Sequence, residues 1–199
     1  MAKEIMPNDN NSSLPSAKLI AAELKREKNR KRFQHIIKNS IYTLIVVAAV
    51  AVLITTLVLP VLEIAGTSME PTLNNGEIVV LLKTDKLERG DLCGFSYSNK
   101  ILIKRVIGLP GDVIIIDPEG GVWVNGELLD EPYVSEPGLG ECDIEFPYTV
   151  PEEAYFLMGD HRSTSIDSRS TVIGCIPRDQ IIGKLFLKVW PIESIEFLN

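Results

Sequence analysis

The run Gly66-Thr67-Ser68-Met69-Glu70-Pro71-Thr72-Leu73 sets a serine on a sharp turn. Thirty-six residues after Ser68 comes a lysine among aliphatic neighbours, in Lys104-Arg105-Val106-Ile107-Gly108-Leu109-Pro110-Gly111-Asp112. A serine hydroxyl is a poor nucleophile until a nearby base takes its proton. The chain has 2 histidines, and His35 lies before a long apolar run that would separate it from Ser68, which leaves His161 and Lys104 as candidate bases. An ammonium with the ordinary lysine pKa near about 10.4 holds its proton at neutral pH. Burial among apolar groups lowers that value because the charged form loses its hydration. Ile101-Leu102-Ile103-Lys104-Arg105-Val106-Ile107 offers such surroundings. In strand alternation Leu102, Lys104 and Val106 share one face, and Arg105 is expected to point the other way, into solvent.

The elements that must position this chemistry fall into two kinds. Ile41 to Leu59 is uncharged and rich in Val, Ile, Leu and Ala, and a helix of this length reaches roughly 28 Å. That spans a hydrocarbon core of about 30 Å. No small-residue cleavage site follows in Leu59-Pro60-Val61-Leu62-Glu63, so the segment reads as an uncleaved anchor rather than a removable leader. Lys25, Arg26, Lys28, Arg30, Lys31, Arg32 and Lys38 end just before it. Such a cluster could be a nucleic-acid arm or a solvated helix face, but at this place it fits the positive-inside signal of a cytoplasmic N-terminus. Residues 1–40 carry nine Lys/Arg against four Asp/Glu while the whole chain is at -7, so the two ends face different surroundings.

Beyond Pro60 the pattern becomes one of short β-branched stretches bounded by Gly, Pro, Asn or Asp. They are 77–82, 91–97, 101–107, 112–116, 122–124, 154–158, 172–176 and 180–189. Asn125-Gly126 predicts a type I′ hairpin, because both central residues of that turn need positive φ. Residues 130–151, with four prolines and several glycines, read as a long surface excursion. The expected fold is mostly β: residues 1–38 a basic tail, partly disordered or helical, 39–60 a transmembrane helix, and 61–199 an extracytoplasmic β-rich catalytic domain. Cys93 reads as a small core residue, and Cys142 and Cys175 as thiols whose pairing the sequence leaves open. There is no zinc spacing and no phosphate-cradling glycine loop, and no cofactor is implied.

The two opening strings, with Arg89-Gly90-Asp91 and the stretch Gly159-Asp160-His161-Arg162-Ser163-Thr164-Ser165-Ile166-Asp167-Ser168-Arg169, resemble the type I signal peptidase family over roughly residues 60–190. These are membrane-anchored Ser/Lys serine proteases that remove signal peptides from exported preproteins. Carried onto this chain, the resemblance implies Ser68 as nucleophile, Lys104 as general base and Ser165 as a group that hydrogen-bonds and orients the lysine amine. It implies Asp167 and Arg169 as a structural ion pair, and Ile64 and Ile103 as walls of a shallow apolar site for the small residues of Ala-x-Ala substrates. The expected partners are secreted preproteins and membrane lipid, with no nucleic acid, at the plasma membrane. The chain departs from the family beside the serine, where Gly66 stands in place of a hydroxyl that some members use as an oxyanion donor; a backbone group or Thr67 would then have to serve. It departs again at His161, where asparagine is common. The competing readings are a Ser68/His161 enzyme, a self-cleaving repressor, a dedicated Ser/Lys protease with few substrates, and an anchored β module that binds without catalysis.

Overall fold

The computed structural model describes residues 17–84 and 86–198. The chain divides into two units, residues 1–52 and residues 53–199. Helix α1 covers Ala17–Val58. It begins inside the stretch expected to be a basic tail, partly disordered or helical, where Ala, Leu, Lys, Arg and Glu are all good helix formers, and it passes position 39 without a break. The remainder of that tail, residues 1–16, lies outside the described residues. Among the described residues α1 is the one helix long and apolar enough to cross a membrane, over Lys18–Leu53 with mean hydropathy 2.1 in its most apolar window.

The second unit is built from antiparallel strands. These are β1 (Val61–Glu63), β2 (Ile78–Leu82), β3 (Leu92–Tyr97), β4 (Lys100–Gly108), β5 (Val113–Ile116) and β6 (Val122–Val124), then β7 (Glu127–Leu128), β8 (Tyr148–Thr149), β9 (Ala154–Met158), β10 (Ile176–Pro177), β11 (Ile181–Trp190) and β12 (Glu196–Phe197). The larger sheet runs β1-β2-β11-β3-β4-β9-β10, with β12 also on β11, and the smaller runs β7-β6-β5-β8. The Asn125-Gly126 hairpin forms with φ of 54° and 87°, which fits its pairing of Val124 with Glu127. The strand expected at 172–176 is mostly a turn instead. Ile173 and Gly174 both donate to the Ser170 carbonyl, and Gly174 takes φ 63°, a left-handed geometry that ends extended structure.

One core cluster joins Ile64, Met69 and Leu73 to Val79, Leu81 and Leu185, and so buries the flanks of the serine turn against β2 and β11. A second contains Val106 and Leu157 of β4 and β9 together with Cys93, and a third underlies the smaller sheet. All three cysteines are free thiols. Cys93 is fully buried, and burial, reinforced by the Asp91 charge, pushes its thiol well above the usual range.

Register sets where the chemistry sits. On one side β4 pairs with β3 along its length, with Lys104 opposite Cys93. On its other side β9 begins pairing only at Arg105, opposite Met158, so residues 100–104 keep a free edge. The outer edge of β1 is likewise free.

Candidate active site

The serine turn is held from both ends before any catalytic group is considered. Ile64 N–H donates to the Glu77 carbonyl and Gly76 N–H to the Ile64 carbonyl, while Gly66 N–H donates to Asn75 Oδ1 at 2.9 Å. Gly66 has φ 100°, a backbone geometry that disfavours any side chain there. Beyond Ser68 the chain curls, with Glu70 N–H on the Thr67 carbonyl and Leu73 N–H on that of Met69. Burial of Met69 and Leu73 then anchors the curl, leaving Ser68 itself half-exposed.

Lys104 reaches this turn from β4 and places Nζ 2.7 Å from Ser68 Oγ. Its side chain is buried, with 4% of the residue exposed. Burial lowers its pKa below the ordinary lysine value; the Asp167 and Asp160 charges oppose the shift, and Arg169 favours it. Among the described residues Ser68 is the one hydrogen-bonding partner of the lysine's side-chain amine. A hydroxyl and a desolvated amine in this contact can exchange a proton when an electrophile arrives.

Arg105 does not face solvent as strand alternation suggested. It is 5% exposed, bonded through Nε and Nη2 to Asp160 at 2.8 and 2.6 Å, to the Gly90 carbonyl at 2.8 Å and to Thr72 Oγ1 at 3.3 Å. The ring of Tyr133 lies 3.8 Å from its guanidinium carbon. Alternation assumes one wet face, whereas this part of β4 is covered on both. The pairing joins the serine string, the lysine string, the Arg89-Gly90-Asp91 stretch and the C-terminal stretch at one guanidinium.

Ser165 is also placed differently from expectation. Its hydroxyl donates to Asp167 Oδ2 at 2.6 Å, not to the lysine amine. An ionised carboxylate is a stronger acceptor than an amine, and this one is fixed by the Arg169 fork and by Gly159 N–H. Burial alone would raise the Asp167 pKa, but those hydrogen bonds and the Arg169 charge outweigh it and hold the carboxyl below its usual range. Gly159 lies between the two serines, where a Cβ would collide with Ser165 Oγ and with the Ser68 carbonyl oxygen. That close approach brings the C-terminal stretch against the serine turn.

The remaining predicted residues fall around a cleft of about 290 Å³ lined by Ile64, Gly66, Ser68, Met69, Ile103 and Lys104 among others. Ile64 is buried and Ile103 half-buried. With Gly66 N–H committed to Asn75, the turn retains the N–H of Ser68, which has no protein acceptor among the described residues. His161 is half-exposed, and its Nδ1 lies 3.3 Å from the Thr67 carbonyl.

Several residues of the site carried no sequence signal. The excursion supplies Glu131, whose carboxylate grips the buried Arg162 at 2.6 and 3.0 Å, and Tyr133, whose hydroxyl donates to Glu131 at 2.9 Å while its ring covers Arg105. Burial and then the Glu131 charge push the Tyr133 phenol well above its usual pKa, which keeps it a donor. Thr72, which donates to Asp160 Oδ2, was visible only as a letter in the serine string.

A mostly β domain that follows an apolar N-terminal helix in the chain, with a buried lysine on a turn serine, is the combination of fold and site that membrane-anchored serine hydrolases share. The family model described as signal peptidase, peptidase S26, matches residues 37–190, and the chain belongs to this family of serine endopeptidases. It is 33% identical over 169 residues to a probable signal peptidase I-2 of Synechocystis sp., covering 79% of this chain and 75% of that one. It is also 33% identical over 175 residues to signal peptidase I of Bacillus licheniformis, covering 79% and 93%. A signal peptidase I structure from Enterococcus faecalis is 28% identical, with TM-score 0.43 over 50% of this chain and 97% of that one.

Proposed function

We propose that this protein removes N-terminal signal peptides from exported preproteins, cutting after small residues in the Ala-x-Ala style, with Ser68 as nucleophile and Lys104 as general base. The observation that carries the reading is the 2.7 Å contact between a buried, pKa-lowered amine and the serine hydroxyl. Neutral Lys104 accepts the Ser68 proton as Oγ attacks the scissile carbonyl. The oxygen that becomes negative is met by the free N–H of Ser68, a kind of contact worth about 2.7–4 kcal/mol in a water-excluded site. On collapse the C–N bond breaks and the Lys104 ammonium passes its proton to the departing amine, leaving Ser68 acylated by the signal peptide. Neutral Lys104 then takes a proton from a water that attacks the ester and returns it to Ser68 Oγ as the bond to the signal peptide breaks, which frees the enzyme.

The substrate lies extended, its backbone added to the free edges of β1 and β4, which flank the cleft. Ile64 and Ile103 leave room beside Ser68 for small side chains. The Asp167–Arg169 pair holds the C-terminal stretch in place, and Ser165 acts on Lys104 through Asp167 rather than by direct contact. The basic end of α1 lies in the cytoplasm, and the bilayer delivers the substrate to an extracytoplasmic catalytic domain.

The test is incubation of the detergent-solubilised protein with a preprotein bearing Ala-x-Ala, followed by sequencing of the product's new N-terminus. Cleavage directly after the second small residue, absent in Ser68→Ala, is the expected result. An intact preprotein would leave the non-catalytic binding module standing.

A further inference from the structure

We infer that His161 is a positioning residue for oxyanion stabilisation: its ring holds the Thr67–Ser68 peptide so that the Ser68 N–H faces the scissile carbonyl. The inference rests on the reading of Ser68 as nucleophile and goes beyond it, since neither the base nor the nucleophile is at issue.

The geometry begins with the peptide itself. In a trans peptide the C=O of Thr67 and the N–H of Ser68 lie in one plane and point in opposite directions, so whatever fixes the carbonyl aims the N–H. The Thr67 carbonyl accepts from Glu70 N–H at 3.1 Å and lies 3.3 Å from His161 Nδ1. A carbonyl oxygen can only accept, so this contact is a hydrogen bond when the ring carries its proton on Nδ1. The next carbonyl, that of Ser68, accepts His161 N–H at 3.1 Å. One residue therefore grips both carbonyls that flank the Ser68 N–H, and that N–H has no protein acceptor among the described residues. A hydrogen bond to the carbonyl also polarises the same amide and strengthens its N–H as a donor.

The contact has a further consequence for the neighbouring glycine. Gly66 cannot help with its own amide, which is bound to Asn75. With the Gly66 amide committed, the aim of the Ser68 N–H matters more. In the tautomer that donates from Nδ1 the ring's one acceptor is Nε2, and among the described residues Ser68 Oγ is bonded to Lys104 Nζ rather than to this nitrogen.

The experiment compares the full chain with His161→Phe and His161→Asn in detergent, using a synthetic Ala-x-Ala peptide as substrate and the matching peptide aldehyde as inhibitor. The aldehyde forms a hemiacetal with a nucleophilic serine and sets its oxygen where the oxyanion forms. An asparagine amide places an N–H close to where Nδ1–H stands, whereas phenylalanine fills the space without a donor. His161→Phe should lower kcat on the order of 10-fold, less than the 10²–10³-fold of losing a donor outright, and weaken the aldehyde to a similar extent with KM unchanged. His161→Asn should restore both to within about twofold. Melting curves that superimpose would exclude a folding defect as the cause of the loss. The inference is overturned if His161→Phe keeps its kcat, if its loss appears only in KM, or if His161→Asn is as impaired as His161→Phe. Lys104→Met in the same assay separates the levels. An inactive Lys104→Met beside an unaffected His161→Phe removes this inference alone, and an active Lys104→Met removes the Ser68/Lys104 reading and this inference with it.

Discussion

Lys104 and Arg105 are consecutive, both cationic at neutral pH in water and both buried, yet the fold treats them in opposite ways. Arg105 receives a bidentate carboxylate, a carbonyl, a hydroxyl and an aromatic face. Lys104 receives one serine hydroxyl and an aliphatic surround. A guanidinium cannot shed its proton in a protein, so burying it requires full pairing. An ammonium can, so burial without pairing drives it toward the neutral amine that a general base must be. The two faces of one strand therefore divide the labour: one locks the C-terminal stretch in position, and the other holds a desolvated amine 2.7 Å from Ser68 Oγ.

Breaking the lysine side should have the largest effect. Ser68→Ala and Lys104→Met should each lower kcat/KM by about 10⁴–10⁶-fold, measured on the preprotein or peptide assay. Lys104→Arg should be as inactive as Lys104→Met, since it keeps the charge but removes the neutral form; measurable turnover by the arginine variant would contradict the division of labour. On the arginine side, Asp160→Asn leaves a buried guanidinium without its carboxylate. Chemical denaturation should report a loss of about 3–5 kcal/mol.

A smaller effect sharpens the contrast because it has the opposite sign. The folded-state pKa of Lys104 lies below its unfolded value, so the unfolded chain binds more protons between the two values, and stability rises with pH across that window. The native lysine thus costs stability at neutral pH. Lys104→Met should melt higher than the parent at pH 7, and the gain should shrink as pH climbs toward the ordinary lysine value near about 10.4. The smallest effect belongs to Tyr133→Leu, which removes the face over Arg105 and should cost about 0.5–2 kcal/mol with little change in the pH profile.

Most of what was legible in the sequence was local. The Asn125-Gly126 hairpin, the boundaries of β9 and the anchor helix follow from turn chemistry and composition, which need no knowledge of partners. Arg105 was misread because alternation reports faces and not what covers them, and its covers, Tyr133 and Asp160, lie 28 and 55 residues away in the sequence. For the same reason Ser165 was assigned to the lysine amine: the resemblance supplied a role, while the acceptor it uses depends on the Arg169 fork that fixes Asp167. The excursion at 130–151 read as surface because of its prolines and glycines. Its Leu139 carbonyl nonetheless accepts from Arg169 Nη1, and its Glu131 clamps Arg162, contacts that composition does not encode.

The central claim is that Lys104 is the neutral base, and its own ionisation tests this most directly. The side-chain carbon or nitrogen resonance of Lys104, assigned by its loss in Lys104→Met, should be titrated in the full-length protein in detergent and set beside the acid limb of kcat/KM against pH. The account predicts that Lys104 titrates below the ordinary lysine range and that the same value sets the acid limb, giving an alkaline-shifted optimum. A Lys104 that titrates near about 10.4, with the acid limb set by a different group, would contradict it.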